Sequence, residues 1–304
     1  MADGVLDAEL AALVWLLIEG RVPLIVAGAS DAAGDREDSA ITAVDPRAML
    51  LEALLVFLPP GVTPVPMALA RREFDWLPFA PEAGWRQATT PGGALTTPGA
   101  AAFIASDSRR PVTPETTCLL IADGPADRPG APWDGDARVA IQAIGNGFAL
   151  GATIRGESLE AVFDALRRPP NRLTDDELTQ LGVVLVLGPA HRGTRLDAAH
   201  YVRPLARDQH GHVQRMGPAV LATWDERTER FEHFAWGILP ELAARLDCKA
   251  GDLEADQARR RDLLDDLVAA GMTDPNQVQS VVSGFRLTAT PAPGVPGLPV
   301  RGLA

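Results

Sequence analysis

Of the 28 basic side chains among the 304 residues of this protein, one is a lysine, Lys249, and the rest are arginines. Chemistry that needs an ammonium, such as a Schiff base or the neutralisation of a phosphate, therefore has one address, in the turn Asp247-Cys248-Lys249-Ala250-Gly251. Arginine's planar fork binds carboxylates and phosphates, but it does not substitute for a compact ammonium. Histidine offers a second chemistry: His210-Gly211-His212, with His191 and His200 upstream, places two imidazoles on one turn. No cysteine or carboxylate completes a ligand set at a recognisable spacing, so the sequence predicts a solvated hairpin and no metal. No G-x-S-x-G run exists to present a hydrolase nucleophile. Cys118 and Cys248 are too far apart to form a CxxC knuckle or a disulfide framework, which fits a reducing compartment. Arg259-Arg260-Arg261, beside Asp256, Asp262, Asp265 and Asp266, predicts a charged helix face laced by i,i+4 pairs.

Composition excludes several classes of function. A formal net charge of -12 argues against a broad basic surface for nucleic acid. The longest apolar run, Ala11 to Ile18, is closed by Glu19 and is too short to cross a bilayer. The first residues, MADGVLDAEL, lack the basic start of a secretory signal. The expectation is a cytoplasmic protein with no nucleic-acid partner and no membrane insertion. With 46% hydrophobic residues, the chain has enough apolar material for a large buried core.

The elements that must position any site alternate between strand and helix. Residues 7–19 predict a helix capped by Asp7, with Gly20 as its left-handed stop. Val22 to Ala27 is a short branched run ending at Gly28, which predicts a buried parallel strand. Residues 28–44 form a small acidic loop, and Asp45-Pro46 opens a helix that Pro59-Pro60-Gly61 breaks. Further strands are predicted at 117–122, 148–154 and 182–188, with helices at 136–146 and 158–168 and a capping box at Thr174/Glu177. Residues 87–101 and 125–135 are rich in turn formers. From Leu196 to Phe234 alternating segments predict added antiparallel strands, and helices follow at 238–246, about 254–270 and about 275–284. The pattern is that of an α/β protein with a mainly parallel sheet flanked by helices.

Several of these segments, in order, resemble the motor ATPase domain of type II/type IV secretion and pilus systems, nearest the archaeal pilus and flagellar branch. Leu13 to Gly28 resembles the strand leading into that family's phosphate loop. Leu51 to Gly61 resembles its next helix and "FIPPG" turn. Ile141 to Gly147, Ala152 to Ser158 and Leu166 to Pro170 follow its "QA…TGH…TLHANS…RL..PP" stretch. Ala222 to Asp225, Phe231 and the helices of 254–285 follow its carboxyl end. The resemblance spans roughly residues 10–286 and implies a RecA-like P-loop NTPase fold. The implied organisation is a motor-type domain over 1–237, a helical segment over 238–286 and a disordered Pro/Gly-rich tail over 287–304.

The family's chemistry is largely missing. Its phosphate loop needs G-x-x-x-x-G-K-[ST], whose lysine neutralises phosphate and whose hydroxyl holds Mg²⁺. Here the remnant reads Gly28-Ala29-Ser30-Asp31-Ala32-Ala33-Gly34-Asp35-Arg36-Glu37, one residue too long between glycines and with Asp35 at the lysine position. Asp31, Asp35 and Glu37 repel a triphosphate. The family's second acidic site falls on Leu69-Ala70, and its two histidine positions fall on Phe148 and Arg155. The strand that carries its catalytic acid aligns with Leu119 to Ala126, leaving Asp123 as the one remaining carboxylate. A lone Asp in that position also serves as a turn cap, and Arg155 as a plain ion-pair partner. The resemblance thus implies a degenerate secretion-ATPase-like protein that does not hydrolyse ATP and needs no cofactor. It would act as a structural or regulatory partner of a secretion or pilus apparatus, or associate with itself. The alternative is a divergent ATPase that uses Arg36, Asp123 and Arg155 with ATP and Mg²⁺, or a vacated cleft for another ligand lined by Leu69, Phe148 and Arg155.

Overall fold

Leu24 and Val26 project to one face of strand β1 (Leu24–Gly28), Ile25 and Ala27 project to the other, and all four are buried. A strand that is apolar on both faces requires cover on both, which is why β1 lies in the middle of a three-layer molecule. The computed structural model describes residues 4–29, 45–70, 112–123, 133, 136–191, 193–207, 210 and 212–288. The other strands of the main sheet are β2 (Thr63–Pro66), β3 (Thr117–Ile121), β4 (Ala149–Arg155), β5 (Val183–Pro189), β6 (Thr194–Tyr201), β9 (Ala219–Asp225) and β10 (Arg230–His233). The strand order is β10-β9-β6-β5-β1-β4-β3-β2, with β5 to β2 parallel and β6, β9 and β10 added antiparallel. Two further short strands, β7 (Ala206–Arg207) and β8 (Val213–Gln214), pair only with each other. The architecture is therefore α/β, with a mostly parallel sheet and an antiparallel extension.

β2 reads TPVP, which the sequence pattern does not mark as a strand. Thr63 N–H donates to Thr116 O at 2.8 Å. N–H directions alternate along a strand, so Pro64 and Pro66, which have none, face the open edge of the sheet.

One face is covered by α1 (Ala8–Glu19), α2 (Pro46–Leu55), α7 (Leu239–Arg245), α8 (Ala250–Ala269) and α9 (Pro275–Thr288). The other carries α4 (Ala137–Gly145), α5 (Leu159–Arg167) and α6 (Asp175–Leu178), while α3 (Met67–Ala70) follows β2. The capping box of α6 is formed, with Thr174 N–H donating to Glu177 Oε2 at 2.7 Å. Among the described residues no helix is long and apolar enough to cross a membrane.

Four expectations change. Gly20 has φ −75°, so the left-handed residue that turns the chain out of α1 is Arg21, at φ 58°. Gly20 instead lies under the tip of the Leu246 side chain, which a Cβ there would displace. α8 starts at Ala250, a turn earlier than its periodicity suggests, and α9 runs to Thr288, past the expected boundary at 286. Residues 289–304 of the predicted tail lie outside the described residues. Finally, the arginines of α8 do pair with its acids, including the i,i+4 pair Arg260–Asp256 at 3.0 Å, but they do not share one face. Arg259 pairs with Asp256 and Arg261 with Asp262, each at 2.8 Å, but Arg260 turns inward over Trp15 and is 7% exposed.

The start of α1 is tied to the antiparallel extension. Asp7 accepts the Leu10 N–H at 3.0 Å as N-cap, and its other oxygen meets His233 Nε2 at 2.8 Å. That hydrogen bond raises the His233 pKa above its ordinary 6.5 despite partial burial. A raised histidine pKa contributes stability that is fully present below pH 6.5 and is lost as pH rises through the folded-state value. NMR titration should therefore find the His233 ring protonated above pH 6.5, and Asp7→Asn should return its midpoint towards 6.5. An unshifted midpoint in the native protein would mean that the pair does not form.

Candidate functional site

Three parallel strands deliver polar groups to one place at their carboxyl ends, where ligands of open α/β sheets bind. Gly28, the last residue of β1, is the register partner of Arg155 at the end of β4. Asp123 lies two residues beyond the end of β3. Its backbone N–H donates to Thr153 Oγ1 at 3.0 Å, and Trp133 Nε1 donates to the carbonyl oxygen of the same threonine at 2.9 Å. Thr153 and Trp133 are both buried. The Asp123 carboxylate is consequently fixed by backbone and core rather than by a loop.

Among the described residues, each group that meets this carboxylate is cationic or a donor. Asp123 Oδ2 accepts the Arg155 N–H at 3.0 Å and faces Arg155 Nε at 3.3 Å and Arg47 Nη1 at 3.4 Å. Arg47 comes from the first turn of α2. Its N-cap, Asp45, accepts the Arg47 backbone N–H at 2.9 Å, then grips the guanidinium at 3.0 Å (Nε to Oδ1) and 2.8 Å (Nη2 to Oδ2). The Arg47 side chain is 5% exposed. Its stem runs over Gly28, where a Cβ would stand 3.5 Å from Arg47 Cγ and 3.2 Å from Leu187 Cβ. The result is an alternating chain, Asp45–Arg47–Asp123–Arg155, with no net charge.

Burial pushes the Asp123 carboxyl above its ordinary pKa, and the charges of Arg155 and Arg47 recover only part of that cost. The distances agree: both guanidiniums approach Oδ2 at 3.3–3.4 Å, longer than a charge-assisted bond prefers, whereas Arg47 holds Asp45 tightly.

The Mg²⁺–nucleotide implied by the resemblance does not fit the described part of this arrangement. A cation at Asp123 would sit against two guanidiniums, which face Oδ2 at 3.3 and 3.4 Å. No step through a bound nucleotide follows from it.

Of the residues singled out from sequence, Gly28, Asp123 and Arg155 are brought together, and Ala29 follows at the exposed end of β1. Ser30, Gly34, Asp35 and Arg36 lie outside the described residues. Arg155 does make an ion pair, with Asp123 among its partners. Phe148 corrects the expected cleft: it is buried at the entrance to β4, whereas Arg155 is at the exit. Seven residues of strand separate them by roughly 20 Å, so the two cannot line one pocket. The rings of His210 and His212 are 6.2 Å apart in the β7–β8 hairpin, and His200 lies in β6, where burial lowers its pKa. Among the described residues no three His, Cys, Asp or Glu side chains gather as a metal-binding group. Lys249 is exposed as the N-cap residue of α8 and makes no side-chain cap.

Arg47 was the residue that sequence reasoning missed, and a signal for it exists. A cation in the first turn of a helix opposes the macrodipole unless an anion holds it there. Asp45-Pro46-Arg47 supplies both charges, two residues apart, at the head of a helix whose one other charge is Glu52. Comparison with protein-family models and with curated proteins found no match for this chain.

Proposed function

We propose that this chain is a RecA-like domain of the secretion-motor type that has exchanged nucleotide turnover for a structural or regulatory role towards other proteins of a secretion or pilus apparatus. The observation that carries this reading is the neutral chain Asp45–Arg47–Asp123–Arg155 at the carboxyl ends of β1, β3 and β4. A working site at that position keeps an acid available for a metal and a cation available for phosphate. Here Asp45 and Asp123 are both paired with arginines, and Arg47 and Arg155 are both paired with acids. The remnant loop sequence agrees, because it carries Asp35 at the lysine position and no lysine within two hundred residues.

Isothermal calorimetry with MgATP tests the reading directly. The expected result is no binding heat at millimolar nucleotide, and no phosphate release above a buffer control. Micromolar binding that Arg36→Ala abolishes would overturn the proposal in favour of a divergent ATPase.

A further inference from the structure

A second feature lies on the face of the sheet covered by α1 and α8, beside the end of β10. A cavity of about 210 Å³ opens between the start of α1, the 3₁₀ turn Ala235–Ile238 and the first half of α8. Its floor is apolar, made by Leu10 and Leu13 of α1 with Leu239. At its mouth stands Trp236, 77% exposed, with Phe234 beside it in sequence at 40%. Large aromatic side chains left in water at the rim of an apolar hollow mark an interaction site, and tryptophan is the residue most enriched at binding hot spots.

Size and charge decide the occupant. Small-molecule and cofactor sites run to about 300–1,000 Å³, so this cavity is below that range and suits a single large apolar side chain. Glu9 and Glu254 line the same opening. Two cations stand beside them and feel Glu9, but each brings its own acid: Arg261 is held by Asp262 Oδ1 through Nε (3.2 Å) and Nη2 (2.8 Å), and His233 by Asp7, which leaves four carboxylates against two cations. The two glutamates thus keep an acidic rim, on a helix with six acids against three arginines in a protein of net charge -12.

We propose that this cavity is a docking site for a basic segment of a partner protein, one that inserts a single large apolar side chain beside Trp236 and sets flanking arginines or lysines against Glu9 and Glu254. The inference rests on the partner-binding role proposed above and names the face and the chemistry through which that role is exercised. Apolar insertion supplies affinity, and the acidic rim supplies choice of partner and speed of encounter.

A phage-displayed library of random twelve-residue peptides, panned on the full chain, supplies the probe. Enriched sequences should pair a large apolar residue with neighbouring arginine or lysine, and a synthesised member should weaken as salt is raised. Its Kd, measured by calorimetry, should rise at least tenfold in Trp236→Ala and several-fold in Glu254→Arg. Both positions are exposed, so these variants keep the fold, which circular dichroism verifies. Neutral or acidic winners, a Kd unchanged by both substitutions, or no enrichment over the Trp236→Ala protein would each overturn the assignment. So would a concentration-dependent dimer in sedimentation that Trp236→Ala abolishes, because the occupant would then be a second copy. MgATP calorimetry on the same samples separates the two proposals: nucleotide binding overturns the proposed function, whereas nucleotide silence with failed peptide binding overturns the docking site alone.

Discussion

Arg47→Leu is expected to lower the stability of this protein by about 3–5 kcal/mol, the range found when one partner of a buried ion pair is removed. The leucine fills the space of the arginine stem over Gly28, so the loss reports charge rather than volume. Asp123, with 6% of its side chain exposed, would keep only Arg155 as a counter-charge, at 3.3 Å. Its carboxyl is already raised by burial and would be raised further. An acid whose folded pKa lies above the unfolded value is stabilised by protonation, so the folded state gains as pH falls through that raised pKa. The deficit of Arg47→Leu relative to the native protein should therefore be full near neutral pH and should narrow as pH falls towards 4. Urea denaturation at several pH values measures this. The double variant Arg47→Leu/Asp123→Asn should recover part of the loss at neutral pH, since it removes the stranded charge. If Arg47 were instead a phosphate ligand, Arg47→Leu would leave stability within about 0.5 kcal/mol, as exposed substitutions do, and nothing would narrow with acid.

Much of the scaffold around this ion-pair chain was legible in the sequence, for identifiable reasons. Val22 to Ala27, Thr117 to Ala122 and Gly182 to Gly188 are short branched runs bounded by turn residues, and each lies over a parallel strand, β1, β3 and β5. The alternation of 196–234 translated into the antiparallel strands β6, β9 and β10 because one residue in two must face the core. β2 was hidden because prolines disqualify a strand everywhere except at an edge, and edge position is a property of the whole sheet. The site was half legible. Asp123 and Arg155 stood out by aligning with functional positions of the family they resemble. Arg47 did not, because its role depends on α2 returning over β1 and β4, with Gly151 admitting Leu51 to within 3.2 Å of where a Cβ would lie. Lys249, the single ammonium, proved peripheral, and the charges that matter at the strand ends are guanidiniums.

A second large effect is expected where the carboxyl-terminal helices meet α1. Trp15 stacks on Phe57 at 4.7 Å between ring centres and donates from Nε1 to Glu19 at 2.9 Å. Glu19 also receives Arg260 at 2.6 Å and Arg286 at 2.5 Å, so one carboxylate of α1 holds one arginine from α8 and one from α9. Arg260 further pairs with Asp256 at 3.0 Å, and its guanidinium carbon lies 4.5 Å from the Trp15 ring centre. A sequence reading of Arg259-Arg260-Arg261 as a charged face laced by i,i+4 pairs finds Asp256 but not Glu19, because that second partner of the middle arginine is some 240 residues away. Arg260→Ala removes the cation over the ring, the aliphatic stem that covers it and one of the two counter-charges of Glu19, for an expected loss of about 3 kcal/mol. Arg260→Met, which restores the stem without the charge, should recover about 1 kcal/mol of it. Hydrogen exchange should quicken in α8 and α9 before the parallel strands, because the substitution cuts their link to α1 and leaves the sheet core intact. A loss below about 0.5 kcal/mol, or exchange that quickens evenly throughout, would show that apolar packing alone seats these helices. The experiment also reaches function: α8 forms one wall of the cavity under Trp236, so loosening it should weaken the peptide that docks there without altering any residue at the strand ends.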